Sequence, residues 1–171
     1  MADVLTAPLL VAAAVLCAAG ALKLRSPQPA VAAFAALGLP ARAVFVRGLA
    51  VCELVIGTWC AVDPARPAAA AVACLYAAFA LAAWILARRR SACGCFGAEA
   101  SPASRWQSVL SMVFVLSAIG GLAAGAHGVG WVLGRPALVA SATLIGIAGA
   151  AYATALAYTE LPKAWTAWSA A

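Results

Sequence analysis

Charge is scarce in this sequence. Only 9% of its 171 residues are Asp, Glu, Lys or Arg, against about 25% in a soluble domain. Acidic residues number five, and histidine occurs once, at position 127. With 67% of the chain hydrophobic, too few polar groups exist to cover a water-facing surface. That excludes an ordinary soluble globule and makes the bilayer the expected solvent. A basic n-region is also missing. The opening run MADVLTAPLLVAAAVLCAAGALKLR is long enough to span, so it reads as a retained helix rather than a cleaved signal.

The cysteines are equally defined by what they lack. None forms a C-x-x-C pair, no C-x-x-C-H motif offers covalent haem attachment, and the loops hold too few for an iron–sulfur cluster. Zinc wants four protein ligands, or three plus water. His127 falls in a loop at the opposite membrane side from the cysteine-bearing loop, so no metal site is expected and His127 reads as an ordinary loop residue. No cofactor is predicted; a quinone is conceivable but no motif supports one. The net charge of +6 does not indicate nucleic acid, because the arginines sit in short loops between apolar runs, where they act as topology signals.

Five apolar segments stand out: residues 4–22, 43–62, 68–87, 106–126 and 137–158. Each holds roughly 20 residues, enough to cross the hydrocarbon core. Without water to satisfy the backbone there, each must be helical. The expected fold is therefore all-α, an integral membrane bundle of about five transmembrane helices forming one domain over residues 1–171. Residues 26–40, bounded by prolines, are too short to span and suit a short interfacial helix. Pro67 is placed to start the third long helix, and Ser101 with Pro102 to cap the fourth. HGVGWVLGRP (127–136) reads as a glycine-rich turn. Gly121 and Gly125, and the glycines at 146 and 149, offer close helix contacts. Tyr158, Trp165 and Trp168 suit an interfacial aromatic belt.

Basic residues divide unevenly between the two sides. Lys23, Arg25, Arg42, Arg88, Arg89, Arg90, Arg105 and Lys163 share one side, with Arg47 just inside, whereas Arg66 and Arg135 occupy the other. The positive-inside rule then sets the N-terminus outside and the C-terminus in the cytoplasm. It also sets the run RRRSACGCFG (88–97) at the cytoplasmic face.

That run carries the distinctive chemistry. Cys93 and Cys95 flank Gly94 in a loop beside three arginines. Residues i and i+2 can approach bridging distance only in a small, strained ring, which makes the bond easier to reduce and suits exchange over scaffolding. Gly94 supplies the backbone angles such a ring needs. Guanidinium charge from Arg88, Arg89 and Arg90 favours thiolate, the attacking form. Cys17, Cys52, Cys60 and Cys74 lie within spans, where a cysteine is usually a small hydrophobe; Cys52, Cys60 and Cys74 are the candidates for a relay across the membrane.

Glu53 falls inside the second long segment, a costly position that marks pairing or function. On a helix it shares a face with Gly57 and Cys60. Lys23 ends the first segment on the same side and can reach it. An ion pair joining two helices is the plain expectation, and a proton-handling carboxylate near a thiol the alternative.

The run CGCFG (93–97), including Phe96 and Gly97, resembles the signature of the MauE family of methylamine-utilisation membrane proteins. AAGALKL (18–24) and RGLAVCELVIG (47–57) resemble the related DoxX-like pattern. The resemblance spans about residues 4–126 as a four-helix core, with an extra C-terminal helix at about 137–158. The Arg-Asn pair that the family tends to carry at the next helix is replaced here by SRWQSV, where only Arg105 stands in. The resemblance implies a redox role in the bacterial inner membrane, assisting maturation of disulfide-containing proteins such as the methylamine dehydrogenase small subunit alongside a thioredoxin-like partner. It assigns Cys93 and Cys95 as the redox pair with Lys23 and Glu53 in support. The rival reading is a non-catalytic DoxX-like subunit or assembly scaffold of a membrane oxidoreductase complex.

Overall fold

In the computed structural model, residues 2–93, 101–160 and 168 are described. Among the described residues, seven helices run in the order α1 Ala2–Arg25, α2 Gln28–Leu37, α3 Ala43–Val62, α4 Arg66–Arg88, α5 Arg105–Ala124, α6 Val129–Leu133 and α7 Ala137–Thr159. Between α4 and α5, β1 (Ala92–Cys93) pairs antiparallel with β2 (Ser101–Pro102), Ala92 opposite Pro102 and Cys93 opposite Ser101. The five long helices α1, α3, α4, α5 and α7 are each long and apolar enough to cross a membrane. The short α2 lies between two of them and cannot span.

Turn chemistry explains most of the boundaries. Pro67 sits in the first turn of α4, where its missing N–H costs nothing. Gly38 ends α2 at φ 78, and Gly125 ends α5 at φ 68, left-handed positions that glycine takes without steric penalty. The start of α5 departs from expectation. Ser101 and Pro102 belong to the β pairing and are not helical, so α5 begins later, at Arg105, with Ser104 as its cap. The Gln107 side chain accepts the Ser104 backbone N–H at 3.1 Å, one half of a capping box. The glycine-rich turn likewise contains a helical stretch, α6, and Trp131 within it stacks against His127 and lies under the Arg135 guanidinium.

Packing is closest between α1 and α3 and between α4 and α5, with α1 also contacting α5 and α7. The core centres on α1, where Leu9, Ala12, Ala13 and Leu16 are almost wholly buried. Around the outside the distribution inverts the soluble pattern. Val4, Leu138, Ile145 and Tyr152 are among the exposed large residues, while Lys23, Glu53, Gln107, Ser111 and Thr6 are buried. Apolar residues outside and polar residues inside is the arrangement a hydrocarbon solvent demands.

Glycine contacts correct the expected packing. Gly121 does meet a neighbour, since a Cβ there would lie 2.9 Å from a Leu9 methyl. Gly146 and Gly149, by contrast, make no such contact, since a Cβ at either would meet nothing within 4 Å, and α7 is the least buried of the long helices. Among the glycines within helices, those that meet a neighbour most closely are on α1 and α3. A Cβ on Gly20 would lie 2.7 Å from the Ala50 carbonyl, and one on Gly57 would lie 2.6 Å from Cys17 Sγ and 2.9 Å from the Ala13 carbonyl.

Candidate functional site

The two glycine contacts draw α1 and α3 together and set the register of their facing residues. On α3 the buried positions are Val46, Ala50, Glu53, Gly57 and Cys60. This spacing of three and four is one face of a helix, and the polar member falls opposite the last turn of α1. There Lys23 Nζ donates to Glu53 Oε1 at 2.7 Å and to Oε2 at 2.9 Å. The two side chains are 5% and 0% exposed. The Lys23 ammonium also lies 5.2 Å from the centroid of the Phe79 ring on α4, within cation–π range. A charge pair this enclosed leaves neither member unpaired in a medium of low dielectric.

Beside the pair lies a small, partly open cavity of about 70 Å³. It is walled by α1, α2, α3, α4 and the ends of α5 and α7 through Leu16, Phe34, Leu49, Phe79, Ser111 and Tyr158. Lys23 lines it as well, whereas Glu53 does not. A ladder of polar groups closes the α5–α7 side: Ser111 and Tyr158 share a hydroxyl–hydroxyl hydrogen bond of 2.8 Å, and Gln107 donates to the Tyr158 carbonyl at 3.0 Å. Tyr158 is therefore buried in the bundle, not part of an aromatic belt, because its hydroxyl has a partner there. Trp165 lies outside the described residues, and Trp168 is exposed.

The arginines that end α4 are engaged individually. The Arg88 guanidinium sits 3.8 Å over the Trp84 ring, and Arg89 donates to the Ala36 carbonyl of α2. Arg90 takes a left-handed φ of 52°, which ends the helix and turns the chain toward β1. The backbone of Cys93 is thus placed at the root of the α4–α5 connection, held by the pairing with Ser101 and by the Ala103 N–H to Ser91 carbonyl bond of 3.1 Å. This extended backbone is incompatible with a continuous helix through residues 91–98. Gly94, Cys95, Phe96 and Gly97 lie outside the described residues.

The relay candidates differ in their surroundings. Cys60 is enclosed on the α3 face that meets α1, but Cys52 and Cys74 are exposed on the outside of α3 and α4. Cys17 is the cysteine the structure draws into the α1–α3 seam, its Sγ 3.7 Å from Thr58 Oγ1. Its signal in the sequence was the Gly57 opposite, which only the helix register reveals. Tyr76 is a second buried polar residue that patterning passed over. Its hydroxyl donates to the Ala12 carbonyl at 2.7 Å, tying α4 to α1, and a tyrosine amid an apolar span is the sign that could have found it. No group of three or more His, Cys, Asp or Glu side chains among the described residues is arranged to hold a metal ion.

Five membrane-length helices, an apolar exterior and a charge pair sealed inside define a multi-pass, all-helical membrane protein. Within that class the chain belongs to the family described as Methylamine utilisation protein MauE, which matches residues 1–125. The matched region takes in α1 to α5 and with them the Lys23–Glu53 pair. No curated protein and no solved structure matches the chain.

Proposed function

We propose that the chain is a thiol–disulfide redox protein of the bacterial cell membrane, with Cys93 and Cys95 as the reacting pair. The observation that supports this most is how the chain leaves α4. Arg90 ends the helix, and the Cys93 backbone is pinned opposite Ser101. The chain therefore departs and returns at one point on the basic end of the bundle, which suits a short loop presented to a partner. In the exchange, one S–S bond forms as another breaks, and two electrons and two protons move between this pair and a partner's thiols. A thioredoxin-like protein fits as the immediate partner, and a disulfide-containing protein such as the methylamine dehydrogenase small subunit as the client. Lys23 and Glu53 support the site by holding the ends of α1 and α3 in register beneath it.

Lys23, Arg25, Arg42, Arg88, Arg89, Arg90 and Arg105 all fall at the end of the bundle that carries this loop. By the positive-inside rule this end faces the cytoplasm. A membrane-impermeant maleimide applied to intact cells, before and after mild reduction, tests both parts of the reading. Labelling of Cys93 and Cys95 only after lysis and reduction is the expected result. Labelling from outside would reverse the orientation. A pair that never changes redox state would instead favour the non-catalytic subunit. Trapping a mixed disulfide with a Cys93→Ser or Cys95→Ser variant identifies the partner.

A further inference from the structure

Among the described residues, Arg47 has no ionic partner. It lies in the second turn of α3, a helix of membrane length, and its side chain is exposed. Val44, Val51 and Val55 are three, four and eight residues away, on the same side of the helix, and all three are exposed. In a bilayer that side meets hydrocarbon, where an arginine is costly unless it finds an opposite charge or reaches the interface. At about 1.5 Å of rise per residue, Arg47 sits about 6 Å inside the start of α3, and its long side chain can carry the guanidinium back to the headgroup layer. Gly48 leaves the surface beside it open, since a Cβ there would meet nothing within 4 Å.

The chain's few acids are placed elsewhere. Glu53 is taken by Lys23, and Asp3 and Asp63 stand at the opposite end of the bundle. Glu160 ends α7, whereas the helices packed on α3 are α1, α2, α4 and α6. Glu99 lies outside the described residues. Arg42 compounds the charge. It is the N-cap residue of α3, makes no side-chain capping bond, and no acid occupies the first turn. Two cations near the positive end of a helix dipole are an unfavourable arrangement until an anion joins them. Arg25, Arg88, Arg89, Arg90 and Arg105 crowd the same end, so the local field favours an anion whose charge no amine cancels.

We infer that Arg47 and Arg42 bind the phosphate of an anionic phospholipid in the leaflet at this end, with an acyl chain lying along Val44, Val51 and Val55. A guanidinium fork matches two phosphate oxygens at once. The acyl chain below the headgroup covers the valines that the bundle leaves bare. A protein carboxylate would have to bring its own apolar cover for those valines, whereas a phospholipid carries both parts in one molecule. The site does not involve the cysteines and stands whether or not they exchange disulfides.

The test uses the full chain in lipid nanodiscs with a phosphatidylglycerol probe that carries a diazirine near its headgroup. Labelled peptides are mapped by mass spectrometry. Saturable labelling of residues 42–51 is expected, with unlabelled phosphatidylglycerol competing about fivefold better than phosphatidylcholine. This arm needs only the wild-type chain, so it holds even if a variant does not fold. Arg47→Gln should reduce the labelling about fivefold, the effect of one basic side chain at an anionic surface. Arg47→Lys keeps the charge but loses the fork, and should fall between the two. Arg66→Gln, at the opposite end, should leave labelling of residues 42–51 unchanged. The Cys93→Ser/Cys95→Ser variant should do the same, which separates this site from the redox reading. Equal competition by the two lipids, or undiminished labelling of folded Arg47→Gln, overturns the inference. So does a photoreactive residue in place of Val44 that, in cells, cross-links to a polypeptide instead of lipid.

Discussion

The two ends of the bundle carry similar charges in opposite circumstances. At the end where α1 finishes and α3 begins, Lys23 meets Glu53 at 2.7 Å with both side chains sealed from their surroundings. At the end where α1 begins, Asp3 lies 3.6 Å from His127 and 3.8 Å from Arg135, and all three are open, at 63%, 41% and 43% exposure. Distance alone does not separate the two cases. Water screens the outer group and competes for each partner, so such contacts contribute little. The inner pair has no alternative partner, and losing either member strands a charge in hydrocarbon. Position within the bundle, more than the kind of residue, sets what each charge does for the fold.

The largest effect should follow from breaking the inner pair. Lys23→Met alone strands the Glu53 carboxylate and should cost about 3–5 kcal/mol of stability, seen as a sharp loss of folded, detergent-soluble protein. Adding Glu53→Gln should recover much of it. Strictly additive losses in that double-mutant cycle would refute coupling between the two residues.

Next is the seam that brings the pair together. Gly57→Val places methyl groups against Cys17 Sγ and the Ala13 carbonyl and should cost about 1–3 kcal/mol through overpacking. Gly146→Val on α7 faces open space and should be nearly silent. A thermal-shift comparison of the two variants checks the contrast, and equal losses would mean that the α1–α3 contact is not the tight one.

Smaller again is the polar ladder. Ser111→Ala removes the bond to the Tyr158 hydroxyl and should cost about 1 kcal/mol, in line with hydrogen bonds between helices in membranes. Last comes the outer group. Asp3→Asn should change stability by about 0.5 kcal/mol or less. If it matched Lys23→Met in a denaturation series, the distinction between the two ends would fail.

The triple replacement of Cys52, Cys60 and Cys74 sharpens the comparison from the chemical side. Cys52 and Cys74 face outward from the bundle while Cys60 is enclosed, so these three thiols do not share one face of the bundle. The disulfide exchange proposed for Cys93 and Cys95, followed by the rate of oxidation of the proposed client, should therefore persist in the triple variant.

Much of this was legible from residue order alone. Apolar runs of membrane length must become helices, because the hydrocarbon leaves the backbone no other way to satisfy its hydrogen bonds. That requirement is local, so α3 appears over the residues its hydropathy marks, Ala43–Val62. The pairing of Lys23 with Glu53 was also foreseeable, since a carboxylate in a span needs a cation and Lys23 ends the first apolar segment on the same membrane side. The contacts among helices were not foreseeable in the same way. Whether Tyr158 reaches lipid headgroups or Ser111, whether Gly146 or Gly57 meets a neighbour, and whether Ser101 or Ser104 caps α5 depend on rotations of helices about their own axes and on how the connections close. The helices are apolar on nearly every side, so their sequences carry little information about which face turns inward. Only the tertiary structure decided that, through the close approach at Gly20 and Gly57 and the few polar side chains that had to find partners.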